Sequence, residues 1–154
     1  EFDSVEPYGT VRSIADERAH RKRMCAIGYR IFAAQRWGQL GDGHVSARDP
    51  ELTDHFWLLD WGVAFGAATV DRLVLVGPDG QVKDANGNLT GAVNTAGYNI
   101  HAPILAARPD AASAAHTHTQ FGTPWSANVA PFRAMSSTGP LYSGKPGKVH
   151  CRLV

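Results

Sequence analysis

Two histidines, His116 and His118, stand two positions apart at the end of a run of small residues, AASAAHTHTQ, from Ala111 to Gln120. In an extended strand side chains alternate between faces, so both imidazoles leave one face and Thr117 leaves the other. Neutral imidazole is the commonest ligand for zinc and other borderline divalent metals, and a catalytic site needs at least one more protein ligand and an open position. The pair is thus two points of a metal clamp that lacks its third. Seven histidines in 154 residues make this spacing a frequent accident, and two ordinary strand histidines would read the same way.

The elements that must position these groups follow from punctuation and period. Ser13-x-x-Asp16 resembles a capping box with Asp in place of Glu, and apolar residues then recur at Met24, Ile27 and Ile31 with Ala34 a turn later, which predicts an amphipathic helix ending near Trp37-Gly38. Gly41, Asp42 and Gly43 make a turn into a short strand, His44 to Arg48, broken by Asp49-Pro50. Phe56–Asp60 and Arg72–Val76 are strand candidates rich in aromatic or β-branched residues, and Pro78-Asp79-Gly80 is a hairpin turn into Gln81–Lys83. Asn94 and Thr95 cap a second helix with Ile100, Ile104 and Ala107 on one face, where Pro103 predicts a kink or a late start. Gly122–Asn128 suits a short helix opening at Thr123-Pro124. Strands interrupted by a few helices, with hairpin turns, indicate an α/β or α+β sheet domain.

Composition narrows the classes. The length suits a single domain. Fifteen basic residues against fourteen acidic ones leave a net charge of +1, and the cluster RAHRKR from Arg18 to Arg23 reads as the solvated face of a helix, so nucleic acid is not the expected partner. Cys25 and Cys151 are too few and too far apart for a disulfide framework, no apolar run approaches a membrane helix, and no signal peptide is visible. A reduced, cytoplasmic protein with no membrane contact is the expectation. Residues 1–12 read as an N-terminal extension, 13–135 as the domain, and 136–154, rich in Gly and Pro without a period, as an irregular tail.

From His101 the chain runs IHAPILAARPDAASAAHTHTQFGTPWSA. Together with GDGHVSARDP and GVAFGAATVDRLVLVGPDGQV upstream, in that order, it resembles the class II aldolase/adducin family over about Ile14 to Ser126. The resemblance implies a central, largely antiparallel sheet flanked by helices, a divalent metal held by His116 and His118, and a symmetric homo-oligomer, a tetramer, with active sites between subunits. Zinc is the metal it points to first, with iron, manganese or magnesium also admitted. The family's third histidine lies in a C-terminal segment that this chain lacks by comparison. His150 is the histidine left to replace it, in KVHCRL rather than the family's H-G context.

The resemblance also exposes losses. Aldolase members carry a Glu four residues before the histidine matching His101, as metal ligand and then general base; here that position is Gly97. Glycine supplies no base, so the catalytic residue is unassigned. Where the aldolases place small donors around a phosphate, this chain has His44, Trp61-Gly62 and Thr95-Ala96, with Tyr98 close by in sequence. That pocket suits an aromatic or other non-phosphorylated organic acid better than a phosphate monoester. Trp61, like Trp57, reads equally as core, and His101 reads as a satisfied helix histidine.

The pattern is similar to the branch of the family found in secondary-metabolite pathways and aromatic-acid decarboxylases. Decarboxylation needs an electron sink and no base, so a metal-dependent carbon–carbon lyase of decarboxylase or retro-aldol type is the expected activity. The alternative is an adducin-like, non-catalytic interaction or scaffold domain. Trp57, Trp61, Phe65 and Trp125 are the residues expected near a subunit contact.

Overall fold

A computed structural model describes residues 12–39, 41–84 and 86–127. The chain divides into two units at His118/Thr119, and the first holds the sheet and two long helices. Helix α1 (Ile14–Gln35) starts at Ser13, whose hydroxyl oxygen accepts the Asp16 N–H at 3.1 Å. It stops at Arg36, whose φ of 57° is left-handed, with the Trp37 N–H returned to the Phe32 carbonyl at 2.9 Å. Strands β1 (His44–Arg48), β2 (Phe56–Leu59), β3 (Leu73–Val76) and β4 (Ser113–His116) form one antiparallel sheet in the order β3-β2-β1-β4. Helix α2 (Thr95–Ala107) lies between β3 and β4 in sequence, and two short 3₁₀ turns (Phe65–Ala67 and Val70–Arg72) link β2 to β3. The antiparallel sheet with flanking helices matches the expected fold class.

The sheet is covered on both faces. Val45 and Ala47 of β1 pack with Cys25, Tyr29 and Phe32 of α1 and with Phe65, while Phe56, Leu58, Val76 and Leu105 form a second cluster on the α2 side. The approach of α1 to β1 depends on Gly28, where a Cβ would stand 3.3 Å from a Val45 methyl. Phe65, expected near a subunit contact, is a core residue at 3 % exposure.

Both helix faces differ from the periodicity reading. On α1 the buried stripe is Cys25, Tyr29 and Phe32, whereas Met24, Ile27 and Ile31 are exposed. Aliphatic residues outnumbered the true face here, and the more polar-looking stripe carries the two aromatic rings that fill the space over β1. On α2 the buried stripe is Gly97, His101 and Leu105, with Ile104 exposed. The helix also runs through Pro103 without a break. Pro103 and Asn99, the residue whose carbonyl it leaves without an intrahelical partner, are both exposed, so water can take that bond.

Arg48 fixes the far end of α2. Its buried guanidinium donates to the carbonyls of Leu105 (2.5 Å) and Arg108 (3.0 Å) at the helix C-terminus, and to Ala111 (3.0 Å) and Thr53 (2.6 Å). A cation placed on the last carbonyls of a helix is favoured by the helix dipole. The second unit is described by α3 (Gly122–Ser126), a single turn following Phe121 with Pro124 in its first residues.

Candidate functional site

The site is built on β1, β4 and α2. Antiparallel pairing sets His44 opposite His116 and Ser46 opposite Ala114, so the alternation of β1 puts His44 and Ser46 on the face that α2 covers. Helix α2 brings His101 down onto them. Its start is fixed by Asn94, whose side-chain oxygen accepts the Gly97 N–H (3.2 Å) and whose amide donates to the Gly41 carbonyl (3.4 Å).

Four imidazoles meet here. His101 Nε2 is 2.8 Å from His44 Nδ1, and His101 Nδ1 is 2.5 Å from Ser46 Oγ. The His44 ring stacks on His116, centroids 4.8 Å apart and planes 18° from parallel. His116 Nε2 lies 2.9 Å from His118 Nε2. The strand ends at His116, so His118 is not a strand residue as the alternation argument assumed; its N–H instead bonds the Trp37 carbonyl at 2.8 Å. The two ε-nitrogens converge all the same.

Burial keeps the inner rings neutral. His44 is pushed down to about 4 by burial and by the neighbouring His116 and His118, and His101 to about 3 by burial and by His44 and His116. Burial, then His118, also lowers His116. Each therefore offers a lone pair near neutral pH.

His116 and His118 fit two corners of one metal site. Two nitrogens of a zinc tetrahedron with bonds of about 2.0 Å stand about 3.3 Å apart, so a slight outward turn of the exposed His118 would open the observed 2.9 Å to that span. Among the described residues no third His, Cys, Asp or Glu joins them. His150 lies outside the described residues.

The remaining expected site residues divide. Gly97 faces the histidines, and a Cβ there would stand 3.2 Å from His44 Cγ. Thr95 and Ala96 occupy the exposed first turn of α2. Trp61 is half exposed, its ring edge against Gly41, and Gly62 beside it has a left-handed φ of 86°. Tyr98 is not brought to the histidines. One residue on from Gly97 the helix has turned about 100°, and its ring stacks near Phe56 while its hydroxyl donates to the Pro78 carbonyl at 2.6 Å. There it lines a separate cleft of about 740 Å³ with Arg48, Thr53, His55 and Ala106. Ser46 was missed, although the period of two in HVSAR placed it on the face of His44.

Comparison with known proteins agrees with this architecture. Residues 22–151 match the Class II Aldolase and Adducin N-terminal domain. Alpha-adducin of Rattus norvegicus is 33% identical over 128 residues, 80% of this chain and 17% of the adducin. A 4-hydroxy-3-prenylphenylpyruvate oxygenase/4-hydroxy-3-prenylbenzoate synthase of Streptomyces roseochromogenus subsp. oscitans is 35% identical over 114 residues, 73% of this chain and 40% of that protein. The solved L-fuculose 1-phosphate aldolase from Glaciozyma antarctica PI12 superposes with a TM-score of 0.76 at 33% identity, covering 87% of this chain and 53% of the other. The chain thus spans about half, or less, of the length of these relatives. With a family match over most of its length and the antiparallel sheet that carries the histidines, the chain belongs to the class II aldolase and adducin family.

Proposed function

We propose that this domain carries the metal-binding half of a carbon–carbon lyase, of decarboxylase or retro-aldol type, acting on a small non-phosphorylated organic acid, with an aromatic acid the favoured class. The observation that supports it is the convergence of His116 Nε2 and His118 Nε2 at 2.9 Å beside a buried, neutral His44. Class II aldolases typically use a divalent metal; here His116 and His118 would hold it, zinc before iron, manganese or magnesium. Such an ion supplies Lewis acidity toward a carbonyl or enolate oxygen.

The chain's own groups do the rest. In decarboxylation the bond from the α-carbon to the carboxylate breaks, its electron pair passes to the adjoining carbonyl, and no proton has to be removed first. The absence of a carboxylate at Gly97 is compatible with that step and not with proton abstraction by a side chain there. His44 offers a polar nitrogen to the substrate. Trp61, exposed beside Gly41, gives an apolar wall suited to an aromatic ring.

An adducin-like, non-catalytic role is the second reading, and the lack of a third metal ligand among the described residues favours it. Elemental analysis of the purified protein against His116→Ala decides between them: bound metal that falls with the substitution supports the lyase, and a protein that never takes up metal supports the scaffold. We also infer a homo-oligomer, supported by the exposed stripe of Met24, Ile27 and Ile31 on α1 together with Trp61. This replaces Phe65, which is core, in the expected contact.

A further inference from the structure

Three side chains on two elements form a closed polar chain in the interior: Ser46, His101 and His44, at 0 %, 1 % and 2 % exposure. Its polarity follows from counting hydrogens. A serine hydroxyl has one hydrogen and two lone pairs, and a neutral imidazole one hydrogen for two nitrogens. Ser46 Oγ is 3.4 Å from the Ala114 carbonyl and 2.5 Å from His101 Nδ1. With its hydrogen turned to Ala114, Ser46 donates one bond and accepts another from His101 Nδ1–H. Turned the other way it makes one bond and leaves the Ala114 contact empty.

The fuller arrangement fixes both rings. His101, protonated at Nδ1, has a lone pair on Nε2, which must then accept the hydrogen of His44 Nδ1 across 2.8 Å. One hydrogen is spent there, so His44 Nε2 carries none. That nitrogen points away from His101 because the two ring nitrogens of an imidazole face different ways.

We propose that Ser46 and His101 are positioning residues that lock His44 in its Nδ1–H tautomer, so that it presents an unprotonated Nε2 to the histidine site. His44 thereby meets a ligand as a hydrogen-bond acceptor, and the ligand class it selects at that point is a donor: a hydroxyl, such as a phenol or enol, or a protonated carboxylic acid. The lock rests on the site assigned under the lyase reading but not on metal or turnover. It also explains the glycine at 97. A Cβ there, 3.2 Å from His44 Cγ and 3.4 Å from Cδ2, would press the ring out of line with His101.

The test is the tautomer itself, read by long-range ¹H–¹⁵N correlation of the imidazoles in the metal-free full chain near pH 7.5. The wild type should show His44 protonated at Nδ1 and bare at Nε2. Ser46→Ala removes the acceptor of His101 Nδ1–H, so His101 should move its hydrogen to Nε2 and donate to His44, inverting the major His44 tautomer to Nε2–H. A wild-type His44 already protonated at Nε2 overturns the proposal, as does a folded Ser46→Ala in which His44 is unchanged. Should Ser46→Ala not fold, His101→Phe replaces it: loss of the single-tautomer signature of His44 supports the lock, and its persistence overturns it. Since no metal is present, a lock found intact in a protein that binds no metal leaves this inference standing while the lyase reading falls.

Discussion

His44 occupies the ground from which a side chain at residue 97 would have to grow: a Cβ built on Gly97 is 3.2 Å from His44 Cγ and 3.6 Å from His44 Cβ. The two positions are therefore complementary, one giving up its side chain to the other. Gly97→Glu alone should destabilise the fold by ~1–3 kcal/mol, the usual cost of overpacking. Combined with His44→Ala the loss should largely vanish, giving a coupling energy of ~1 kcal/mol or more in a double-mutant cycle. Additive losses in denaturant melts would show that the two residues do not compete for space.

Metal retention should be weak. With His116 and His118 as the two proposed ligands, His116→Ala or His118→Ala should each abolish stoichiometric divalent metal, while the wild type should lose its own to a moderate chelator. Elemental analysis before and after dialysis reads this, and retention by both variants would mean that the ion sits elsewhere.

Phosphorylated sugars should not turn over. The solved relative at 33% identity is an L-fuculose 1-phosphate aldolase, so that compound is the stringent choice of substrate. The resemblance to the aldolases would set Trp61 and Ala96 at the positions of their phosphate donors and Gly97 at that of their base. No cleavage in a coupled steady-state assay is the expected result; efficient cleavage would discard the pocket argument altogether.

Acid should attack the fold at Asp49. Its side chain is buried, and burial alone would raise its carboxyl; bonds from Arg18 (2.7 and 2.9 Å), the backbone N–H groups of Leu52 and Glu51, and the Trp57 indole outweigh this and hold it well below 3.8. Because the folded value is the lower one, the stabilisation is fully present above the unfolded value and drains away as pH falls through 3.8 and beyond. Asp49→Ala should cost ~1–3 kcal/mol at neutral pH by removing the acceptor of the Trp57 indole and of the Glu51 and Leu52 N–H groups, while Arg18 keeps Glu51. It should also flatten the acid limb of the stability profile, which thermal melts between neutral pH and pH 3 would detect.

How far the sequence carried this reading depends on what each signal measures. Caps and turns are local, and Ser13, Asn94 and the Pro78-Asp79-Gly80 turn were found where they were expected. The strand HVSAR was likewise legible, because alternation and its flanking breakers do not depend on distant partners. Helix faces were not. Met24, Ile27 and Ile31 looked like the core stripe because hydropathy ranks aliphatic residues first, while Tyr29 and Phe32 fill the space that β1 and Phe65 actually leave. The histidine pair was visible as a spacing, but the Ser46–His101–His44 chain joins residues 55 and 57 positions apart and exists only once α2 lies on the sheet.

Along β1, His44, Ser46 and Arg48 each engage α2, the first against Gly97 and His101, the second against His101, the third at Leu105 and Arg108. Four steps of extended chain cover ~13 Å, and the eight helical steps from Gly97 to Leu105 cover ~12 Å. Strand and helix are thus commensurate, like two rulers whose marks coincide at three places. A single residue inserted between His44 and Ser46 would break that match, because the histidine could no longer share a face with the serine and the arginine, and one side or the other would turn toward α1 unless a bulge absorbed the extra residue. Substitutions in this segment touch one mark at a time, whereas a change in its length sets the marks on either side of it out of step with each other.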